Sequence, residues 1–357
     1  MRICDNGIMR TALLAKLASA FLAVMLLAAA PNAMLALRET GSTLLFPLMA
    51  LWAQAYHRAH TDVTIAIAGT GSGAGIAQAI AGTVDIGASD AYLSDEQLAH
   101  DTMLNIPVAV SAQVIAYNVQ AIGDEHVNLT GNLLAGIYTG AIGYWDDPRI
   151  RAINPQIAGD LPHETIIPIR RSEGSGDTFM FTQYLAKSAK SWTAGYGTLI
   201  RWPKVDTMEE ARGNDGMVDR CSKLEGSIAY VAVSYVPQIS FGDLGYAALQ
   251  SRDGEFVLPT PATMSAAVAA AKIGADGRAL LIDRPGKGAY PIVSYEYAIV
   301  RKAQPDAARA VALKNFFTWA ISPSGGNDEA RFLSALDFVP LPADARAVSE
   351  RLILEIH

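Results

Sequence analysis

Residues 69–75, GTGSGAG, constrain the fold more than any other stretch of this 357-residue chain. The apolar, β-branched run VTIAIA (63–68) precedes them, and the apolar helical pattern IAQAIAG (76–82) follows. This order predicts a strand, a glycine loop and a helix. Glycines let the backbone approach a ligand closely, and the free N–H groups of a helix start favour an anion. The stretch therefore predicts an anion site, either for a dinucleotide or for a small free oxyanion.

Two further helix starts have the same character. EGSGDT (173–178) follows the strand-like run ETIIPIRR (164–171), and GST (41–43) opens an amphipathic helix that the pattern predicts over 42–60. Strand and helix patterns alternate along the chain, which indicates an α/β fold. Loops of this kind gather at the carboxyl ends of strands in such folds, so we expect the three to form one anion site. The alternative is that each Ser or Thr only caps its own helix.

Two other stretches carry predictions about the sheet and its connections. NIPVAVSAQVIAYNV (105–119) has the composition of a pair of buried strands, and YPIVSYEYAIV (290–300) is strand-like. Between the first glycine loop and these strands, Ser94 and Gln97 have the spacing of a capping box at a helix start.

The N-terminal segment is typical of a secretory signal peptide. Basic residues precede the apolar run LASAFLAVMLLAAA (17–30), which is short for a membrane span but suits a signal-peptide core. We expect a signal peptide over residues 1–36 and a mature chain from about Leu37, in the periplasm. The absence of Cys after the run argues against a lipid anchor. A buried N-terminal helix or a membrane anchor is the alternative.

Charge and cysteine content exclude several classes of function. The net charge is −7, and nothing is basic enough to suggest a nucleic-acid partner. Because this field opposes an anion, local hydrogen bonds must hold the ligand. Cleavage would remove Cys4 and leave Cys221 alone, so no intrachain disulfide is expected. We expect Cys221 to be a small buried or half-buried thiol.

Common catalytic motifs fail on their spacing. Residues 69–74 fit part of a dinucleotide fingerprint, with Asp90 at a suitable distance, but a lone match is weak and a secreted protein would not meet the cytosolic cofactor. Neither Ser72 nor Ser175 lies in a G-x-S-x-G elbow, and there is no G-K-[ST] or H-E-x-x-H sequence. We therefore predict no enzymatic activity, no cofactor and no metal.

Three charged residues stand out beside the predicted loops. Asp90 ends an apolar strand in GASD, Asp177 lies in the second glycine loop, and Arg171 closes the strand before that loop. Arginine suits a bidentate grip on an oxyanion. The alternatives are helix N-caps for the two aspartates and a surface ion pair for the arginine.

These motifs together resemble those of a known family. TLLFPLMALW, GTGSGAGIAQAIAGTVDIGASDAYLSDEQL, RRSEGSGDTFMFTQYL and GNDGM followed by GSIAYV are similar to segments of the periplasmic phosphate-binding proteins of high-affinity phosphate ABC transporters. The resemblance runs in order from about residue 39 to the C-terminal helix and is greatest to the actinobacterial branch.

The resemblance implies a type II periplasmic binding fold. Two α/β lobes are joined by two crossover strands, and one inorganic phosphate is held in the cleft between them. Lobe 1 is discontinuous and comprises residues 37–114 and 293–357, whereas lobe 2 comprises residues 115–292. A monomer that delivers phosphate to transmembrane permease subunits is expected.

The resemblance also implies which residues bind phosphate. Asp90 accepts a hydrogen bond from a protonated phosphate oxygen, and Leu44, where the family commonly has Phe, contributes its backbone N–H. Position 177 is often Thr in the family; here its carboxylate is either a second acceptor or a partner of Arg171. The expected phosphate-binding residues are Thr43, Leu44, Ser72, Asp90, Arg171, Ser175, Gly176 and Asp177.

Elementary chemistry favours phosphate over other oxyanions at such a site. Phosphate keeps a proton near neutral pH, which a buried carboxylate can accept, whereas sulfate brings no proton and meets an unpaired negative charge. The alternatives are a binding protein for sulfate or molybdate, a secreted phosphatase or esterase, and an envelope sensor or adhesin.

Overall fold

The computed structural model of the protein describes residues 34–269 and 271–357. Most of the predicted signal peptide lies outside these residues. Strand β1 begins at Leu35, two residues before the predicted start of the mature chain.

The described chain alternates between strands and helices, as the sequence predicts. The strands are β1 (Leu35–Gly41), β2 (Val63–Ala66), β3 (Ile86–Ser89), β4 (Met103–Tyr117), β5 (Asn128–Leu129), β6 (Ile167–Arg171), β7 (Glu209–Ala211), β8 (Ser227–Ala232), β9 (Gly245–Tyr246), β10 (Ala248–Gln250), β11 (Phe256–Val257) and β12 (Val293–Arg301). The α-helices are α1 (Phe46–Ala59), α2 (Ser72–Ala81), α3 (Asp95–Leu98), α4 (Gly131–Tyr138), α5 (Pro148–Ala152), α6 (Gly176–Ser188), α7 (Gly213–Ser222), α8 (Val236–Phe241), α9 (Pro261–Ala269), α10 (Ala307–Ala320) and α11 (Ala343–Leu354).

Nine of the described strands form one mixed sheet. Its order is β2-β1-β3-β12-β4-β8-β6-β7, with β9 paired to β4, and a small separate sheet has the order β11-β10-β5. Strands β1 to β3 run parallel to one another, and so do β6 to β8. The antiparallel strands β12 and β4 lie between these two groups and connect them. The predicted α/β fold is confirmed.

Strand β4 differs from the prediction of two strands over 105–119. It is one strand of 15 residues, all of them buried, because the segment contains no turn sequence that could end it. Pro107 is accommodated because the register between β4 and β12 shifts there: Glu296 pairs with Ala109 and Tyr297 with Pro107. A proline that cannot donate to the ladder is tolerated at such a bulge.

Helix α1 begins later than the prediction of residue 42. Its first residue is Phe46 and Pro47 follows in the first turn, a position where the missing N–H of proline costs nothing. Residues 43–45 form a turn before it, in which the Leu45 N–H donates to the Ser42 hydroxyl at 2.9 Å. The Ser94–Gln97 capping box at α3 is confirmed.

The sheet brings the predicted loops together at one edge. Strands β1, β3 and β6 all end beside the two glycine loops, which contact each other directly: the Gly73 N–H donates to the Gly174 carbonyl at 3.0 Å. Within residues 34–269 and 271–357, no helix is both long and apolar enough to cross a bilayer.

Candidate functional site

Asp90 lies at the centre of the place where the loops meet. It directly follows β3 and is 1% exposed. The Ser42 hydroxyl donates to Oδ1, and the Ser72 hydroxyl lies 3.3 Å from Oδ2. The next helix is capped by Ser94, so the interpretation of Asp90 as a helix cap is wrong.

The surroundings of Asp90 make its ionisation more costly than that of an exposed aspartate. Burial raises the pKa of this carboxyl, and the negative charge of Asp177 raises it further. Hydrogen bonds from Ser42 and the charge of Arg171 act in the opposite direction. A carboxylate in this position is costly unless a hydrogen lies between it and any anion.

Arg171 enters the site from the end of β6. Its side chain is 1% exposed, which excludes the surface ion pair considered as the alternative. Nη1 lies 2.5 Å from Asp177 Oδ2, Nε donates to Glu173 at 2.8 Å, and Nη2 also contacts Glu173. Two carboxylates therefore hold the guanidinium in one orientation.

Asp177 faces Arg171 rather than capping α6. The N-cap is Ser175, whose hydroxyl accepts from the Thr178 N–H at 3.4 Å, and Asp177 is the second residue of the helix. Asn214 Nδ2 donates to Asp177 Oδ2 at 2.9 Å, and Gln113 Nε2 lies 3.2 Å from Oδ1. Burial raises the pKa of Asp177, whereas Arg171 lowers it.

Thr43 joins the turn before α1 to the Arg171 side of the site. Its hydroxyl accepts from Arg171 Nη2 at 3.2 Å and from Asn214 Nδ2 at 2.9 Å. Leu44 is fully buried beside it, and the Leu44 carbonyl accepts from the Ser234 hydroxyl at 3.2 Å.

Gly176 is the closest link between the two glycine loops and Asp90. A Cβ at this position would lie 2.5 Å from Ser72 Oγ and under 3.0 Å from Asp90 Oδ2. The first residue of α6 therefore has room only for a hydrogen atom. The structure thus brings all eight sequence-predicted residues to two adjoining groups, one around Asp90 and one around Arg171.

Five further residues complete these groups and were missed by sequence reasoning: Ser42, Gln113, Glu173, Asn214 and Glu296. The detectable signals were polar residues inside buried strands, as in Gln113 of β4 and Glu296 of β12, both 0% exposed. Asn214 is more difficult to detect, because its role depends on α7 lying between Thr43 and the Ala232 N–H, which donates to Asn214 Oδ1 at 2.8 Å.

The arrangement combines fixed donors with an excess of acid. Hydroxyl, guanidinium and helix-start N–H groups are suited to the oxygens of a small anion. Asp90, Asp177 and Glu296 surround them, and Arg171 is already paired. A bare dianion is repelled here, whereas an oxyanion that carries a hydrogen can offer it to a carboxylate. Among the described residues, no group of three or more His, Cys, Asp or Glu could hold a metal ion.

Comparison with known proteins identifies the family. The family model described as "PBP superfamily domain" matches residues 28–324. Phosphate-binding protein PstS of Methanocaldococcus jannaschii is 34% identical over 337 residues, which cover 87% of this chain and 84% of that protein. The chain belongs to the PstS phosphate-binding protein family. PstS of Haemophilus influenzae is also 34% identical, over 85% of this chain and 88% of its own length.

Solved structures agree with this membership at the level of the fold. A phosphate-bound high-affinity periplasmic phosphate-binding protein, PfluDING, superposes with a TM-score of 0.71 at 22% identity. The superposition covers 89% of this chain and 93% of that one. The periplasmic binding fold that the PstS resemblance implied is therefore confirmed.

Proposed function

We propose that this PstS-family protein is an extracytoplasmic solute-binding protein that captures inorganic phosphate and delivers it to the permease of an ABC transporter. It acts as a monomer without enzymatic activity, and residues 1–36 direct its export. Its relatives carry the name phosphate-binding protein, and family membership supports transfer of that role.

One observation supports phosphate in particular. A buried carboxylate, Asp90, lies against the donors Ser72 and Gly176 at the meeting point of two glycine loops. Phosphate can bring a hydrogen to this carboxylate and still present oxygens to the N–H and O–H groups. Sulfate and molybdate bring no hydrogen near neutral pH, so the same carboxylate repels them.

Phosphate is expected to bind between two lobes. Lobe 1 comprises residues 37–114 and 293–357, and lobe 2 comprises residues 115–292. Ser72 and Asp90 act from lobe 1 with the turn at Thr43 and Leu44, and Arg171, Ser175, Gly176 and Asp177 act from lobe 2. Binding across two lobes couples ligand capture to closure, which is the state that a permease can recognise.

Equilibrium dialysis with labelled phosphate tests this function. Protein that has been unfolded, freed of ligand, refolded and treated with EDTA is expected to bind one phosphate, with sulfate in excess failing to compete. Stronger binding of sulfate, or phosphate binding that returns only with added Ca²⁺, Mg²⁺ or Zn²⁺, contradicts the proposal. Release of phosphate from an ester substrate would instead indicate an enzyme.

A further inference from the structure

Glu296 lies in β12, next to the end of β3 that Asp90 follows. In the antiparallel pairing of β12 with β3, Tyr297 is opposite Ser89 and Ala298 is opposite Ala88. Continued by one residue, this register places Glu296 opposite Asp90. Side chains of directly opposite residues lie close together on one face of a sheet. The Ser294 hydroxyl, which donates to the Asp90 carbonyl at 3.2 Å, keeps the two segments together.

Glu296 is fully buried, and the described residues offer neither of its oxygens an N–H or O–H donor. The group within hydrogen-bonding reach is the Asp90 carboxyl, which is itself an acceptor when ionised. Two carboxyl groups can share a hydrogen bond only if one of them carries a proton. A buried glutamate without donors is far more stable neutral than ionised.

The surroundings decide which of the two acids keeps the proton. Glu296 faces Asp90 and Asp177, and its strand neighbour Tyr297 adds no positive charge. Asp90 has the stabilising partners: the Ser42 hydroxyl, the Ser72 hydroxyl and the charge of Arg171. Asp90 is therefore the ionised acid of the pair, and Glu296 is the neutral one. Burial and the Asp90 charge raise the pKa of Glu296 accordingly.

We propose that Glu296 is a specificity-determining positioning residue, which stays protonated and donates its O–H to the Asp90 carboxylate. The inference rests on the proposed phosphate-binding function and deepens it. The donated hydrogen bond keeps Asp90 ionised and fixes the direction of its remaining lone pairs. Toward the ligand, Asp90 can then act only as an acceptor, so the ligand must bring its own hydrogen.

Loss of this donor has a specific consequence. An Asp90 without it takes up a proton more readily, and a protonated Asp90 can donate to sulfate. Selectivity between phosphate and sulfate would then decline as the pH falls, although the phosphate-binding residues themselves are unchanged.

The test compares three variants by calorimetric titration with phosphate and with sulfate at several pH values. Glu296→Gln retains a neutral donor of the same shape, and is expected to keep phosphate affinity and selectivity within about threefold. Glu296→Leu removes the donor, and is expected to lose roughly tenfold in selectivity, the effect of one hydrogen bond to a charged group, with a greater loss at lower pH. Glu39→Gln, which replaces another buried acid, is the control and leaves selectivity unchanged.

Either of two binding results would overturn the inference. A tenfold loss of phosphate affinity in Glu296→Gln would mean that Glu296 acts as a carboxylate, and unchanged selectivity in a folded Glu296→Leu would make it a space-filling residue. If Glu296→Leu does not fold, infrared difference spectroscopy of wild type against Glu296→Gln decides. A carboxylic-acid C=O band at neutral pH that disappears in Glu296→Gln supports the proposal, and its absence from wild type refutes it. This measurement needs no phosphate, so it separates failure of this inference from failure of the proposed function.

Discussion

Arg171 and Asp177 form a buried ion pair, 2.5 Å between Nη1 and Oδ2, with each side chain 1% exposed. Because Glu173 contacts the same guanidinium, the charge of Arg171 is compensated by the protein itself. We therefore expect Arg171 to act toward an anion as a rigid hydrogen-bond donor more than as a source of net attraction. Position 177 is often Thr in the family, and of the two roles considered for Asp177, the structure shows that of a partner of Arg171.

The first prediction concerns removal of this cation. Arg171→Ala should weaken phosphate binding by at least roughly a hundredfold and should also destabilise the fold by about 3–5 kcal/mol, because the buried Asp177 carboxylate loses its partner. Titration calorimetry and urea unfolding measure the two effects. Arg170→Ala is the matched control: Arg170 is the adjacent residue and pairs with the half-exposed Glu210. This variant should change phosphate affinity and stability only little. Retained affinity in Arg171→Ala would contradict a role in the site.

Asp90→Asn tests discrimination rather than affinity. The amide can still accept a hydrogen bond and can also donate, so phosphate binding should weaken by only about 1–3 kcal/mol while sulfate becomes a competitor. Parallel titrations with both anions measure this, with Asp95→Asn on the surface as the control. Unchanged exclusion of sulfate would transfer the acceptor role to Asp177, for which Asp177→Asn is the next variant.

Gly176→Ala tests the close approach of the two glycine loops. The added methyl group would overlap Ser72 and Asp90, so phosphate affinity should fall by more than tenfold. Gly143→Ala is the control, because a Cβ there meets nothing within 4 Å. Normal phosphate affinity in Gly176→Ala would show that the loops separate without cost.

The pH dependence of stability provides a test away from the ligand. Burial raises the pKa of Glu39 in β1 from 4.5 to about 8. A raised folded-state pKa contributes stability that is complete below pH 4.5 and is lost as the pH rises through about 8. Glu39→Gln should therefore raise the melting temperature at pH 8 and change it little near pH 5. A uniform shift at both pH values would indicate a packing effect instead.

Closure of the two lobes is the last prediction. Phosphate should decrease the radius of gyration measured by small-angle X-ray scattering, because it joins Asp90 on one side to Arg171 on the other. The Gly176→Ala variant is the control, since its added methyl group should hinder full closure. Identical scattering with and without phosphate would contradict closure.

Most of the fold could be predicted from the sequence, because strand and helix periodicities alternate clearly. The prediction of two strands over 105–119 was wrong. One buried strand passes Pro107, and the sequence does not mark the bulge in its pairing that makes this possible. The start of α1 was also misplaced. The Ser42 hydroxyl accepts from the Leu45 N–H, as a cap would, and also donates to Asp90, but residues 43–45 form a turn and the helix begins only at Phe46.

Residues near the glycine motifs could be predicted as site candidates, but the residues that contact them could not. Glu173 lies within the second glycine motif, two residues from Arg171, but no role was predicted for it. Asn214 and Glu296 enter the site through contacts that span more than a hundred residues of sequence, as between Thr43 and Asn214. Such contacts depend on how the strands pair, and a single sequence does not specify that pairing.

Because the Gly73 N–H donates to the Gly174 carbonyl, this one amide reports whether the two glycine loops are in contact. Gly73 is in the first turn of α2, where a helix has no internal acceptor for its N–H, and the facing loop supplies one. If the loops part, this amide meets water; while they are together, it is protected. Its rate of deuterium exchange would thus measure the fraction of time that the protein spends open, without a mutation or a transport partner.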